Sequence, residues 1–395
     1  MLPIPQGFRF AVARAGFKYQ GREDLGLILS QYPAQGAGVF TRNRFQAAPV
    51  QVARQRLDSH GQVLRALVIN SGQANACTGQ AGYRDCLQSL SLTGQCLGLD
   101  PEHILPASTG VIGQTLNLER WESCLQDLAD NLQYSGPLEV ARAILTTDAY
   151  PKTAWRRIQT TSGEFRILGL AKGAGMICPD MATMLGFVIT DAKVQAKAWQ
   201  EMLQQAAEQS FNRISVDGDT STNDCVLALA NGASQVEASQ GREQELLALA
   251  LLEICQELAY LIVQDAEGGS KVLRISVRGA RDSRQAESAA RSIAHSPLVK
   301  CAFFGQDPNW GRIVAALGHS RAHFSTEQVR IFIQDRLVFQ EGCQVPGDLD
   351  ALLAQCMSRQ EIKLEVDLGS GQAEYQLLTS DLTLEYVRIN SAYRS

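Results

Sequence analysis

The sequence predicts an α+β protein of at least two lobes, and three observations carry that reading. Short β-branched apolar runs, such as Leu185-Gly186-Phe187-Val188-Ile189-Thr190, are interspersed with amphipathic stretches at helical spacing. Residues 362–368 alternate strictly between apolar and charged side chains, the mark of a half-exposed strand. The chain has 395 residues at 45% hydrophobic content, enough for two or three domains. The pattern changes near Ala280, so the expected division is a larger core over 1–280 and a smaller α+β lobe over 281–395.

In chain order, residues 8–13 and 26–30 read as strands, and 36–41 as a strand preceded by two glycines. No dinucleotide-binding fingerprint follows, because the third glycine and its helix are missing. Residues 66–72 form a buried strand that runs into a polar turn. Asn75-Ala76-Cys77-Thr78-Gly79 is small and polar, a composition suited to a loop lining a pocket. Residues 82–97 are helical, and 104–113 are a strand ending in the turn Ser108-Thr109-Gly110. Residues 118–132 form a helix with Asn117 as its N-cap, and 137–145 form another. Residues 158–170 read as a hairpin turning at Ser162-Gly163. Helices follow at 196–211 and 243–263, the second stopped by Gly268-Gly269. Residues 272–277 are a strand. Beyond Ala280 the reading is helix 288–299, strand 300–305, strands 329–333 and 337–339, and helix 348–355.

Bulk properties exclude several classes. There are 36 basic and 41 acidic residues, for a formal charge of −5. No basic block or basic-aromatic interleaving exists, which argues against nucleic acid. The first twenty residues lack a continuous apolar segment, so they do not read as a signal peptide. The apolar run 246–263 is interrupted by Glu253, Gln256 and Glu257, so it reads as an amphipathic or buried helix and not a membrane span. The ten cysteines never form a Cys-x-x-Cys pair, and the five histidines include one close pair, His319 and His323. No metal site is expected from such spacing. Scattered thiols in a chain without an export signal suggest the cytoplasm. Asp217, Asp219 and Asp224 lack the EF-hand spacing and closing Glu, so a buried hydrogen-bonded turn is expected there.

The centre of interest is 172–185, Lys172-Gly173-Ala174-Gly175-Met176-Ile177-Cys178-Pro179-Asp180-Met181-Ala182-Thr183-Met184-Leu185. Taken alone, a Thr opening a buried strand is a β-former. As a nucleophile Thr183 needs a base, and no Ser-His-Asp arrangement is legible. Cys178, the other nucleophile here, has no His nearby in sequence. If the chain were cut before Thr183, its own α-amino group, with a pKa of about 7.7–8.0, would serve as that base. Ala182 is small enough for the hydroxyl to reach its carbonyl carbon. Thr109 and Gly110 suit an oxyanion hole, though a strand-terminating turn is equally compatible. Lys172 and Glu267 could be solvated, or could hold the carboxylate and amine of an amino acid.

These motifs, with Thr146-Thr147-Asp148, Val216-Asp217-Gly218-Asp219-Thr220-Ser221-Thr222-Asn223-Asp224, Asp307-Pro308-Asn309-Trp310-Gly311-Arg312 and the tail Tyr386-Val387-Arg388-Ile389-Asn390, resemble one family from end to end. The chain is similar to the ornithine (glutamate N-) acetyltransferases, bifunctional enzymes of arginine biosynthesis. The resemblance implies an αββα four-layer sandwich, like the N-terminal-nucleophile aminopeptidases in layering, with an added C-terminal lobe. It implies self-cleavage between Ala182 and Thr183 into an α chain (1–182) and a β chain (183–395), assembled as an α₂β₂ heterotetramer. Thr183 is then the acetyl-carrying nucleophile, and Thr109 and Gly110 stabilise the oxyanion. Lys172, Glu267, Asn390, the C-terminal Ser395 and one of Thr146 and Thr147 bind substrate. Two positions depart from the family pattern: Ala149 stands where another hydroxyl is expected, and Cys178 where His, Ala or Glu is more usual.

The expected reaction is ping-pong acetyl transfer from N-acetylornithine to glutamate through acetyl-Thr183, with no cofactor. Acetyl-CoA is a further candidate donor, although no coenzyme-A fingerprint is legible. The alternatives are an N-terminal-nucleophile amidase or aminopeptidase that uses water as acceptor, and an uncleaved amino-acid-binding protein.

Overall fold

The computed structural model describes residues 2–59, 63–178 and 184–392. The described chain divides into two units, one of residues 2–212 and 219–262, the other of 213–218 and 263–392.

The first unit begins with β1 (Phe8–Ala13), β2 (Leu25–Phe40), α1 (Ala48–Asp58), β3 (Leu64–Gln73), α2 (Gly79–Leu97) and β4 (Ile104–Val111). Helices α3 (Leu118–Ser123), α4 (Leu125–Asp130) and α5 (Pro137–Ala143) follow, then β5 (Lys152–Thr160), β6 (Gly163–Lys172), β7 (Leu185–Thr190) and α6 (Ala196–Glu208). The short strand β8 (Ile214–Ser215) belongs to the second unit, while β9 (Cys225–Ala230) and most of α7 (Gly241–Gln264) complete the first.

One long strand organises this unit. β2 pairs with β1 and β3 through Leu25–Leu29, shifts register, and pairs with β9 through Gln35–Phe40. The strand order β4-β3-β2-β9-β7-β6-β5 is therefore two half-sheets joined through β2. Period-2 alternation assigns each face. Phe8, Phe10, Leu67, Ile69, Leu105 and Ala107 of the first half share one core with Leu168, Leu170, Phe187, Ile189, Leu227 and Leu229 of the second. The intervening Ala11, Ala66, Val68 and Ile104 instead pack against Cys86 and Leu90 of α2 and Leu125 and Leu128 of α4. On the far side, Ile254 and Leu258 of α7 lie against Gly169 of β6, and Gln200 of α6 bonds to the backbone of Gly38. The layers run helix, sheet, sheet, helix, as the sandwich expectation required.

Helix α7 is long and apolar enough to cross a bilayer. Its Leu247, Leu251, Ile254, Leu258 and Ile262 are fully buried, so this apolar stripe is a core face.

The second unit comprises β8, β10 (Val272–Ala280), α8 (Ser283–Ala294), α9 (Pro297–Phe304), α10 (Trp310–Gly318), β11 (Arg330–Ile333), β12 (Arg336–Gln340), β13 (Cys343–Gln344), α11 (Leu349–Met357), β14 (Glu361–Asp367), β15 (Ala373–Ser380) and α12 (Leu384–Ala392). Its sheet runs β13-β12-β11-β14-β10-β15-β8. Leu273, Ile275 and Val277 of β10 and Leu364 and Val366 of β14 pack against Ala286, Ala290 and Ile293 of α8.

Four expectations change. The division at 280/281 would cut β10 from its neighbours. That strand bonds to β14 and β15, so it belongs to the second unit. Residues 300–305 are not a strand but lie largely within α9. Ser296 accepts a bond from the Val299 amide and Pro297 occupies the first turn, a helix start that outweighs the apolar run after it. The helix before it ends at Ala294 to make room. Residues 118–132 are two helices broken at Cys124, and the two expected strands within 26–41 are the single β2.

Candidate active site

The parity that builds the sandwich core also positions the site. In β4, Leu105 and Ala107 face inward, and Thr109 continues their series. In β6, Leu168 and Leu170 face inward, and Lys172 continues theirs. The two half-sheets thus deliver Thr109 and Lys172 to one end of the inter-sheet core. Lys172 Nζ lies 3.5 Å from Thr109 Oγ1 and donates to Thr146 Oγ1 at 2.8 Å. Of the Thr146-Thr147 pair, Thr146 is the one bonded to the lysine.

Asp148 fixes this arrangement from beneath. Its carboxylate is fully buried and takes a 2.8 Å bond from Lys152 Nζ, itself fully buried. Lys172 Nζ lies 3.7 Å from Asp148 on the other side. The amides of Gly173 and Thr146 donate to the two carboxylate oxygens at 2.6 and 3.2 Å. Burial pushes the Asp148 pKa up, but the charges of Lys172 and Lys152 and these hydrogen bonds outweigh it and hold the carboxyl well below its usual range. Two ammonium groups against one carboxylate leave the end of the site cationic.

Gly110 follows Thr109 with φ +132°, and a Cβ there would stand 2.2 Å from the carbonyl carbon of Gly72. Only glycine fits, since β3 and β4 run parallel with Gly72 opposite Gly110. The residues before the turn are tied down by buried side chains. Ser108 Oγ donates to Asn70 Oδ1 at 2.6 Å, and Asn223 Nδ2 reaches the carbonyls of Ser108 at 2.9 Å and Ala74 at 2.6 Å. The Ser108-Thr109-Gly110 turn is thus held in place by buried side-chain bonds and by a backbone position that only glycine fits.

The acidic loop 216–224 behaves as a hydrogen-bonded turn. Its part within the first unit receives Thr41 Oγ1 at the Ser221 carbonyl and Asn43 Nδ2 at the Thr220 carbonyl, both at 2.9 Å. Among the described residues no cluster of His, Cys, Asp and Glu could hold a metal ion. None of the ten cysteines is in a disulfide.

The second unit brings two other expected residues together. Asn390 Nδ2 donates to Glu267 Oε2 at 2.9 Å. Glu267 precedes Gly268, whose φ is +63° and whose Cα packs so close to α12 that a Cβ would meet the Tyr386 amide nitrogen at 2.6 Å. Thr383 Oγ1 donates to the Gly268 carbonyl at 2.6 Å and accepts from the Tyr386 amide. Asp381 accepts the amides of Ser270 and Lys271 at 2.8 and 3.0 Å. The paired glycines thus form a clamped turn that presents Glu267 beside Asn390. Ala182, Thr183 and Ser395 lie outside the described residues.

Sequence reasoning quoted Asp148 and Asn223 inside motifs and Asn70 inside a strand without giving any of them a role, and it passed over Lys152. A charged residue such as Lys152 reads as surface until burial shows otherwise.

Comparison with known proteins gives the family. The ArgJ family model matches residues 9–395. The arginine biosynthesis bifunctional protein ArgJ of Nitratidesulfovibrio vulgaris is 49% identical over 395 residues, 100% of both chains. That of Syntrophotalea carbinolica is 44% identical over 392 residues, 98% of this chain and 99% of its own. A crystal structure of ArgJ from Bacillus halodurans is 34% identical at TM-score 0.49, over 51% of this chain and 96% of that one. A structure of ornithine acetyltransferase with ornithine from Mycobacterium tuberculosis is 36% identical at TM-score 0.41, over 45% of this chain and 93% of that one. With a family match across nearly its whole length and relatives matched end to end, the chain belongs to the ArgJ family.

Proposed function

We propose that this protein is a self-cleaving ornithine acetyltransferase that recycles the acetyl group from N-acetylornithine to glutamate. The observation that carries the reading is the Thr109–Lys172–Thr146 cluster, two hydroxyls gathered on one lysine at one end of the sandwich. Membership of a family whose relatives are named as bifunctional proteins of arginine biosynthesis supports it.

In this reading Thr183 Oγ attacks the Ala182 carbonyl carbon, the peptide C–N bond breaks, and the resulting ester is hydrolysed to leave an N-terminal Thr183. Its α-amino group then takes the hydroxyl proton as Oγ attacks the acetyl carbon of N-acetylornithine. The amide C–N bond breaks and the departing ornithine amine receives that proton. The glutamate amine attacks the acetyl ester, Thr183 Oγ leaves and is reprotonated, and N-acetylglutamate is released. Thr109 and Gly110 stabilise both tetrahedral oxyanions. Thr146, Lys172, Glu267, Asn390 and Ser395 bind the amino-acid substrates. Acetyl-CoA is a second donor to the same hydroxyl, and the cleaved chains assemble as α₂β₂ in the cytoplasm.

A denaturing gel and a product assay test this. Fresh active protein should run as two chains, and Thr183→Ala should stay whole and inactive. N-acetylornithine and glutamate should yield stoichiometric N-acetylglutamate. Free acetate instead would indicate a hydrolase, and a single full-length band from active protein would overturn the self-cleavage. Acetyl-CoA with glutamate alone tests the second donor.

A further inference from the structure

A groove of about 1030 Å³ lies on the second unit between α8 and α10. The proposed acetyl transfer makes no use of it. Arg284, Arg291, Arg312, Arg321 and His319 line it, against a single lining carboxylate, Glu287. Glu287 is committed to Arg291 at 2.8 Å. Arg284 and Arg321 are exposed and make no ion pair among the described residues. Asp282, at the N-cap of α8, feels the charge of Arg284 but does not line the groove.

The groove is held open by named bonds. Ser292 Oγ on α8 donates to the Ala316 carbonyl on α10 at 2.6 Å. The turn after α10 is pinned back onto α8, where the Arg321 amide donates to Ser288 Oγ at 3.0 Å and the His323 amide to Gln285 Oε1 at 2.9 Å. Arg312 Nη1 donates to the Leu298 carbonyl at 2.9 Å, at the start of α9. These contacts run α8 and α10 antiparallel. Arg321 is thereby held at the α8 end that carries Arg284, and Arg312 at the other end, beyond Arg291. Arg284 and Arg291 are seven residues apart, two turns or about 10 Å along the helix. Alanine and serine form the floor between them, and Pro297 and Leu298 add an apolar wall.

Like charges gathered around one concavity repel unless an anion joins them. Guanidinium forks match phosphate oxygens in bidentate geometry. We propose that this groove binds a small anion of nucleotide type that carries two or more phosphate groups, held by Arg284 and Arg321 at one end and by Arg312 at the other. The shared chemistry is the phosphate cluster of a nucleoside polyphosphate or of a coenzyme-A molecule.

Calorimetric titration of the full protein with ADP, coenzyme A and pyrophosphate tests this, at low and at physiological salt. Saturable binding of ADP or coenzyme A is expected, weakening with salt, and whichever is tighter identifies the source. The double variant Arg284→Glu/Arg321→Glu should bind at least about tenfold more weakly, with an unchanged thermal midpoint. Should charge reversal disturb folding, Arg284→Gln and Arg321→Gln give the same readout singly. Lys172→Ala should bind ADP as the parent does, which separates this groove from the acetyl-transfer site that would itself take coenzyme A. Absence of saturable binding, equal binding by the arginine variants, or loss of ADP binding in Lys172→Ala overturns the proposal.

Discussion

Lys172 Nζ donates to Thr146 Oγ1 at 2.8 Å while standing 3.7 Å from the buried carboxylate of Asp148. The lysine thus lies beside a buried carboxylate and is aimed at a hydroxyl that comes from a different part of the chain. Replacing it by methionine keeps the stem and removes the charge. Transfer from N-acetylornithine should fall by about 10²–10³ in kcat/KM, the usual cost of one aimed donor. Steady-state kinetics check this, and a loss below tenfold would show that Lys172 is structural.

Asp148→Asn leaves Lys152 and Lys172 facing each other with no buried anion between them. Breaking a buried pair in this way typically costs about 3–5 kcal/mol, so urea midpoints should drop sharply. The acid limb should change as well. The Asp148 carboxyl is held below its ordinary 3.8, so its contribution is fully present above that pH and is lost as the pH falls below it. Parent protein should show this extra acid sensitivity, and Asp148→Asn should lack it.

Asn223→Ala strips the bonds to the Ser108 and Ala74 carbonyls in a buried place. A stability loss of about 1–3 kcal/mol is expected. Because Ser108 adjoins Thr109, kcat should fall more than KM rises. A change confined to stability, with kcat per folded molecule intact, would remove Asn223 from the positioning of the proposed oxyanion donors.

Gly110→Ala drives a Cβ to 2.2 Å from the Gly72 carbonyl carbon at a φ of +132°. Backbone on both sides leaves no flexible group to yield. The variant should accumulate poorly and, where folded, show a depressed thermal midpoint and little activity. Parent-like activity would mean that β3 and β4 part readily there.

Lys300 lies buried against the Thr379 hydroxyl, at 2.9 Å, and the Ser380 carbonyl. Burial pushes its pKa down to about 8 from 10.5, although Asp381 and Asp217 pull it back up. The unfolded chain therefore binds the extra proton between those values, and stability gains a rising component from about pH 8 to 10.5. Lys300→Met should lack that component, so the stability difference, parent minus variant, should grow as pH rises through this window. Denaturant melts at several pH values decide it. A flat difference would mean that the ammonium is ordinary.

Much of the architecture was legible because period-2 alternation is written locally. The strand at 185–190, the hairpin turning at Ser162-Gly163 and the Asn117 cap were all read without the structure. The helix over 297–304 was misread because its apolar run masked Ser296 and Pro297, the short-range signal that starts it. The division at 280/281 failed for a different reason. β10 is followed by a visible change of pattern, yet its partners β14 and β15 come some ninety residues later.

The sequence by itself determined the family, through ordered motifs that include the Ser108-Thr109-Gly110 turn and Lys172. It also set which face each strand residue takes, since side chains alternate whatever the strand pairs with. Only the tertiary structure decided that Thr146 rather than Thr147 meets Lys172, that Lys152 and Asp148 are wholly buried partners, and that Asn223 holds the Ser108 carbonyl. Lys172 meets Thr146 across 26 positions and Asn223 meets Ser108 across 115, separations that leave no trace in local spacing, and Asp148 and Lys152, only four apart, are buried by elements that their own spacing does not reveal.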